Sequence, residues 1–532
     1  MGEPKRVLLA ERIAEEGVAR LREAGLEVLL HQGGRDQLLR ELAGADGLVV
    51  RSATRVDAEL FAAAPRLSIV GRAGVGVDNV DVAEATRRGV VVVNVPDGNT
   101  LSAAEHTFAL MLAMLRRLPV ADAALRTGRW ERHLVGAQAY GKTLGIVGLG
   151  RIGRQVALRA RAFGMRVLAH DPFLGAQQAA GEVELVELDR LLQEADILTV
   201  HTPLTPQTRH LIGAREIARM KPGAYIVNCA RGGIVDEEAL AAALEEGRLA
   251  GAALDVWEEE PPRPDHPLLR SDRVVVTPHL GASTVEAQRL NAETVAEEMV
   301  RWFSGRPVRN AVNLPPLSEE EWAAVRPFLG LAGVLGPFFV QALPTRLERV
   351  SIGLSLEGRV AELVAAAVLA GLLSAILNSP VNLVNAAAVA AEQGIHWELR
   401  NEHDGAGPQE VTLEAGPPGT RRRLRARIDP DGRPRIVALD AFAIDLVPTA
   451  HMLLSRHSDK PGVVGRFGGL LGERGINIAE MRLGRSAPGG EAVMVLGTDQ
   501  PVDEATLAAL SAIEWIEELR RIELGAWLGA GA

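Results

Sequence analysis

Three residues in this 532-residue sequence have the types needed to move a proton and to grip an acid, and each follows a short apolar run. Arg231 comes after the run 225–229. Glu260 lies in Asp255-Val-Trp-Glu-Glu-Glu260-Pro-Pro, behind the run 252–254. His279 closes the run 274–277 in Thr277-Pro-His279-Leu-Gly281-Ala282. A histidine beside a carboxylate suits proton transfer near neutral pH, because the acid orients the ring and favours its charged form. An arginine grips a carboxylate through two parallel hydrogen bonds and polarises an adjacent carbonyl. Next to a hydride acceptor, such a set turns a hydroxyl into a ketone and anchors an α-hydroxy acid. Singly, each has a plainer reading: a lone histidine is more often structural, and Glu260 is one of three adjacent acids.

The hydride acceptor is suggested by Gly148-Leu-Gly150-Arg151-Ile152-Gly153, directly behind the apolar run 144–148. A second apolar run ends near Asp171, roughly the 20 residues downstream that a dinucleotide fingerprint requires. The glycines allow a tight turn, a close backbone approach to a pyrophosphate and close packing of the following helix, whose N-terminus faces the anion. Asp171 is placed to accept from the ribose hydroxyls and to repel a 2′-phosphate, so NAD is expected rather than NADP. A chance glycine-rich loop is the alternative; the strand before it and the acid after it weigh against that.

These pieces need elements to hold them. The length calls for several cores. With 47% hydrophobic and 24% charged residues the chain is globular. A net charge of −10, with lysine only at Lys5, Lys142, Lys221 and Lys460, argues against nucleic acid as a partner. The basic run 421–427 alternates in its second half and reads as the solvated face of a strand, with an anion site as the alternative. Cys229 is the single cysteine, which excludes an intrachain disulfide and a cysteine-based zinc site, and it has no sequence neighbour to activate it. No metal is expected. The N-terminus carries no signal-peptide pattern. The most apolar long stretch, 360–377, contains Glu362 and is shorter than a membrane span, so a buried helix and a cytoplasmic protein with no membrane contact are expected.

Short apolar runs alternate with helical segments over 7–93, and again, in six runs, over 144–277: two α/β layers. Ser102-Ala-Ala-Glu105 and Ser283-Thr-Val-Glu286 read as capping boxes opening two long helices that bracket the second layer. The chain then leaves the first lobe along one helix and returns along the other, which opens a cleft between the lobes. Leu314-Pro-Pro-Leu-Ser318 marks a boundary. Beyond it come a helix over 319–330, a buried helix through 377, a polar Gly/Pro-rich stretch over 401–420, and a βαββαβ unit from about 448. The expected domains are 1–98 with 290–315, 99–289, 316–447 and 448–532.

Gly148 to Gly153, Asn228-Cys229-Ala230-Arg231-Gly-Gly, Ala253-Leu-Asp255-Val-Trp and Pro278-His279-Leu-Gly281-Ala282-Ser-Thr together resemble the D-isomer-specific 2-hydroxyacid dehydrogenase family. The resemblance implies substrate binding and hydride chemistry at Arg231, Glu260 and His279. It implies NAD contacts at Val75, Gly148, Gly150, Arg151, Ile152, Gly153, Asp171, Thr202, Cys229, Ala230, Arg231, Asp255, His279, Gly281 and Ala282. Arg51-Ser52-Ala-Thr54, Gly71-Arg72-Ala-Gly74-Val75 and Asn99 resemble the branch acting on 3-phospho-D-glycerate, which implies substrate contacts at Arg51, Ser52, Arg72, Gly74 and Asn99. Val75 departs from the threonine of many relatives. His457-Ser-Asp459-Lys-Pro461-Gly462-Val463 and Asn477 resemble an ACT regulatory domain, and Asn382-Leu-Val-Asn385-Ala resembles the intervening domain of that branch's long form.

The implied fold is a Rossmann-type NAD domain inserted in a flavodoxin-like substrate domain, followed by an α+β intervening domain and a ferredoxin-like ACT domain. Asp459, Pro461, Gly462, Val463 and Asn477 become candidate contacts for a serine effector. Backbone N–H groups exposed at the strand-to-helix turn that Pro461-Gly462 makes would meet its carboxylate, and Asp459 and Asn477 its ammonium and hydroxyl. A homodimer or homotetramer is implied, with Arg129-Trp130-Glu-Arg132 reaching a neighbour. The alternatives are a dehydrogenase of glycerate or 2-hydroxyglutarate, and an NAD-binding regulatory protein without turnover.

Overall fold

The computed structural model describes residues 3–175, 183–377, 381–402 and 409–528, which form four sheets. Short valine- and leucine-rich strands joined by helices bury both faces of a sheet when they pair in parallel. In the first sheet the order is Glu27–Leu30, Arg6–Leu9, Gly47–Val50, Ile69–Arg72 and Val91–Val93, all parallel. Leu8, Leu48, Val50, Val70 and Val92 face one core, and Val7, Val49, Ile69 and Val91 face the other. Helix Val285–Phe303 covers the second face and crosses helix Glu15–Glu23 at Gly17, where a Cβ would sit 2.5 Å from the Ala292 carbonyl oxygen. The chain rejoins this lobe beyond that helix: Ala311 bridges Val93, and Val92 N donates to Asn313 Oδ1 at 2.9 Å.

The second sheet is also parallel, in the order Val274–Val276, Leu249–Leu254, Ala224–Asn228, Ile197–Val200, Thr143–Val147, Arg166–His170, Glu184–Leu185. Among the described residues it has seven strands rather than the six expected. The extra one is a two-residue edge strand, too short to show a period. Strand order reverses between Thr143–Val147 and Ile197–Val200, so the glycine loop after the former lies at the switch point where such sheets bind ligands.

Both bracketing helices form, with shifted starts. Thr100–Leu115 begins ahead of Ser102, with Asn99 at its N-cap. Ser102 Oγ instead lies 2.8 Å from Thr284 Oγ1, tying the two helix starts together. Thr284, not Ser283, caps Val285–Phe303 by accepting from Ala287 N at 3.1 Å.

The third sheet runs His396–Asn401, Arg349–Leu354, Glu410–Ala415, Arg422–Ile428, Pro434–Leu439, Phe442–Leu446; its first pair is parallel and the rest antiparallel. Helix Glu319–Ala342 continues past Gly330, where the sequence suggested a stop, and contains Pro327 and Pro337. It is long and apolar enough by length and composition to cross a membrane, yet Phe328, Leu335, Phe338 and Phe339 are buried in the core of this domain. Helix Gly358–Ser374 fits the expected buried helix and meets the first closely at Gly371, where a Cβ would sit 2.3 Å from the Ala332 carbonyl oxygen. The polar stretch 401–420 contains the strand Glu410–Ala415; its residues 403–408 lie outside the described residues. The basic run is a strand, and Glu414 and Glu410 pair with its Arg423 and Arg425 at 3.3 and 3.5 Å.

The fourth sheet is antiparallel, in the order Ile478–Arg485, Glu491–Thr498, His451–Ser458, Ile516–Glu523, with helices Val463–Glu473 and Glu504–Ser511 between strands. That is the βαββαβ pattern. Met452, Leu454, Val493, Val495 and Ile522 belong to the third domain's core, so the two final units share one apolar interior.

Candidate active site

The glycine loop has the shape a dinucleotide needs. Gly148 has φ +92, and a Cβ there would lie 2.7 Å from the His201 carbonyl oxygen. Gly153 allows the helix Arg151–Ala162 to press on its strand, since a Cβ would sit 2.2 Å from the Gly148 carbonyl oxygen. At Gly150, the N-cap of that helix, a Cβ would meet nothing within 4 Å, which leaves the space open to a ligand. Asp171 closes the next strand and accepts from Leu149 N and Phe173 N, both at 3.0 Å. Arg151 pairs with Asp97 at 2.6 Å, linking the loop to the segment that enters from the first lobe. Ile152 packs into the core behind the loop. Thr202 Oγ1 and His201 Nδ1 are buried without a partner among the described residues. Burial pushes His201 down to about 4, so the loop is flanked by a neutral ring. The residues present fit NAD.

The structure brings Arg231, Glu260 and His279 to one cleft of about 620 Å³, shared with Arg51, Ser52 and Arg72 of the first lobe. His279 Nδ1 lies 2.9 and 3.1 Å from the two oxygens of Glu260. Burial alone would push the Glu260 carboxyl up; the His279 hydrogen bond and charge, with Trp257 N donating, bring it below its ordinary value. His279 sits at φ +57, in the left-handed region that non-glycine residues seldom occupy, and such conformations gather at functional sites. Asp255 holds it there. Fully buried, Asp255 accepts Leu280 N at 2.7 Å, Gly281 N at 2.8 Å and Thr277 Oγ1 at 2.6 Å, while its own carbonyl accepts His279 N at 2.7 Å.

Arg231 donates through Nη1 to the Ala230 carbonyl at 2.7 Å and through Nε to Asp78 Oδ2 at 3.1 Å. Asp78 belongs to the first lobe, so this pair spans the cleft. Asn228 shapes the loop, accepting Ala230 N at 3.0 Å and donating to the Arg231 carbonyl at 2.9 Å. Cys229 lies beneath it, buried, and burial pushes its thiol up to about 12, which removes it as a nucleophile. Ala282 lines the cleft just beyond the Gly281 turn.

In the first lobe, Arg72 is the telling residue. Its Nε is buried with no partner among the described residues, and burial and the nearby Arg231 charge both press its pKa below the ordinary value. Gly74, at φ +154, makes room for it, because a Cβ there would overlap Arg72 Nη1 at 1.6 Å. The Val75 carbonyl accepts Asn94 Nδ2 at 2.6 Å. Arg51 and Ser52 sit on a loop held from behind by Glu11, which accepts Arg51 N at 2.9 Å and Thr54 N at 3.0 Å. Asn99, at the junction of the lobes, keeps a buried Oδ1 without a partner among the described residues.

Comparison with known proteins matches three stretches of the chain to family models. Residues 108–281 match the D-isomer specific 2-hydroxyacid dehydrogenase NAD binding domain, 324–440 the D-3-phosphoglycerate dehydrogenase intervening domain, and 451–514 the ACT domain. The D-3-phosphoglycerate dehydrogenase of Archaeoglobus fulgidus is 44% identical over 527 residues, covering 98% of this chain and 100% of its own. That of Bacillus subtilis is 42% identical over 526 residues, covering 98% and 99%. The chain belongs to the D-3-phosphoglycerate dehydrogenase family. Among solved structures, the TT0316 protein from Thermus thermophilus is 40% identical with a TM-score of 0.55, covering 58% of this chain and 99% of that one. A D-lactate dehydrogenase from Aquifex aeolicus, complexed with NAD and lactic acid, is 28% identical with a TM-score of 0.53, covering 58% and 100%. As a member of the phosphoglycerate dehydrogenase family, this chain is an NAD-dependent oxidoreductase with the Rossmann-type and ACT-type folds that the resemblance implied.

Several residues that support this candidate site carry no mark in the sequence. Besides Glu11 and Asp78, His106 contacts Asp255 Oδ1 at 3.1 Å from the helix Thr100–Leu115. No local pattern announces it. The ACT candidates are also not all brought together. Asp459, Pro461, Gly462 and Val463 cluster at the end of His451–Ser458, where Asp459 Oδ2 accepts Gly489 N at 3.0 Å and Gly462 opens the next helix at φ +94. Asn477 bonds Asp499 at 2.7 Å beside the strand's opposite end, since His451 and Ile478 both pair with Thr498. Eight-residue strands separate the two ends by roughly 24 Å.

Proposed function

We propose that Arg231, Glu260 and His279 carry the NAD-dependent oxidation of 3-phospho-D-glycerate to 3-phosphooxypyruvate, the first step of L-serine biosynthesis. One observation supports the substrate most: three guanidinium groups, Arg51, Arg72 and Arg231, line the same cleft as a histidine–carboxylate pair, and one of them has a buried donor without a partner among the described residues. Such a cleft suits an acid with charge at both ends. Arg231 grips the carboxylate and the C2 oxygen, and Arg51 and Arg72 take the phosphate. Glu260 holds the Nδ1 proton of His279, which leaves Nε2 to accept the proton of the C2 hydroxyl. NAD, bound against the glycine loop and Asp171, supplies the acceptor for the C2 hydride. The Asp78–Arg231 pair draws the lobes together around the substrate and excludes water. Replacing Arg72 by Ala tests the phosphate assignment: KM for 3-phosphoglycerate rises at least about tenfold while the slow turnover of glycerate is unchanged. An equal loss on both substrates would assign Arg72 to structure instead.

The protein works in the cytoplasm as a homodimer or homotetramer. Trp130 is 77% exposed in the segment expected to reach a neighbour, which favours association. Serine is the effector read for the ACT unit. Because Gly462 and Asn477 stand at opposite ends of their sheet, a serine site using both takes one from each of two chains. Sedimentation with and without serine, for wild type and Asn477→Ala, checks this: serine-dependent behaviour present in the first and lost in the second is the expected result.

A further inference from the structure

We propose that Glu237 is a positioning residue that locks the turn carrying Glu260 against the loop carrying Arg231. It acts on the reaction without touching substrate or cofactor. Glu237 is the first residue of helix Glu237–Glu245, directly behind the loop 231–236, and only 8% exposed. Its Oε1 accepts Glu258 N at 2.7 Å, two residues before Glu260. Its Oε2 lies 3.1 Å from His266 Nε2. The other ring nitrogen, His266 Nδ1, accepts Leu268 N at 3.3 Å, so the ring proton sits on Nε2, the nitrogen that faces Glu237. His266 in turn packs edge-on against Trp257, centroids 5.5 Å apart. One buried carboxylate therefore pins the acid-bearing turn by a backbone amide and by the ring that supports it.

The loop and the turn have no slack between them. A Cβ on Gly232 would sit 1.8 Å from the Trp257 carbonyl oxygen, so the residue after Arg231 lies flat against the turn. Neither Glu237 nor His266 lines the cleft, whereas Arg231, Trp257, Glu258 and Glu260 do. Burial pushes the Glu237 carboxyl up, a penalty that an apolar residue in its place would not carry. Without the carboxylate, Glu258 N loses its acceptor, the turn relaxes, and the Glu260–His279 pair shifts relative to Arg231. A displacement of about 1 Å at such a distance from the chemistry costs up to about a hundredfold in rate.

The inference rests on the reading of Arg231, Glu260 and His279 as the reacting set, so the test includes His279→Asn. Full-length wild type, Glu237→Ala, Glu237→Gln, Leu240→Ala and His279→Asn are compared for kcat, for KM of both substrates with 3-phosphoglycerate and NAD, and for Tm. Glu237→Ala is expected to lower kcat about thirtyfold with KM for NAD within about twofold of wild type. Glu237→Gln keeps an oxygen for Glu258 N but turns an NH2 toward His266, and recovers kcat to within about threefold. Leu240, fully buried in the same helix, controls for instability: Leu240→Ala lowers Tm at least as much and leaves kcat within about twofold. A Glu237→Ala enzyme with near wild-type kcat, or one whose loss Leu240→Ala matches at equal Tm, overturns the inference while an inactive His279→Asn leaves the reacting set standing. Undiminished turnover by His279→Asn overturns both.

Discussion

His279 is fixed from two directions, by the Glu260 carboxylate on Nδ1 and by the Asp255 carbonyl on its backbone N–H, and this leaves only Nε2 for chemistry. His279→Asn removes the proposed proton acceptor without unsettling a residue already half-exposed; kcat should drop about a thousandfold with Tm unchanged, read by steady-state rates and thermal melts. Arg231→Lys keeps the charge and loses the fork, so kcat/KM for the hydroxy acid should drop about a hundredfold, with KM for NAD little affected. These three residues stood out in the sequence because each follows a strand of a fingerprinted sheet, where ligands bind, and the structure brings them to one cleft. Their supports were not. Glu11 lies 40 positions from the amide of Arg51 that it holds, and His106 lies 149 from Asp255. Nothing in either local sequence marks a partner at that distance.

At the scale of elements, the glycine loop is the tightest constraint. Gly153→Ala places a methyl 2.2 Å from the Gly148 carbonyl oxygen, so the helix must lift from its strand. A loss of about 2 kcal/mol and a raised KM for NAD are expected, measurable by denaturant melts and initial rates; an unchanged KM would show that the helix–strand contact does not shape the site. Most strands could be read as short apolar runs between helical segments, as in Ile197–Val200, buried along its whole length. The misread ones have local causes. Ser102-Ala-Ala-Glu105 has the form of a capping box, but Asn99 starts the helix a turn earlier and Ser102 serves instead to join two helices through Thr284. The helix read as 319–330 does not stop at Gly330, because tertiary burial of Phe338 and Phe339 carries it on to Ala342.

Over the whole molecule, acid should dissolve what holds each unit together. Burial by itself would raise Asp46, Asp196, Asp255 and Asp440, but the hydrogen bonds they accept, with nearby cations at Asp46, Asp196 and Asp440, keep all four below the ordinary carboxylate value. The unfolded chain then binds more protons than the native one, so this stability is present above about pH 4 and is lost as pH falls further. A Tm that fails to drop between pH 5 and pH 3 would contradict this. The largest feature legible in the sequence was the order of lobes, with the chain leaving and re-entering the first; the joint interior of the third and fourth units was not, because Met452 and Val495 reveal their neighbours only once folded. The most direct test of the account is initial-rate NAD reduction with 3-phosphoglycerate, glycerate and 2-hydroxyglutarate in parallel. Turnover strongly favouring the phosphorylated acid is predicted from Arg51, Arg72 and Arg231 in one cleft. Preference for glycerate or 2-hydroxyglutarate would contradict it.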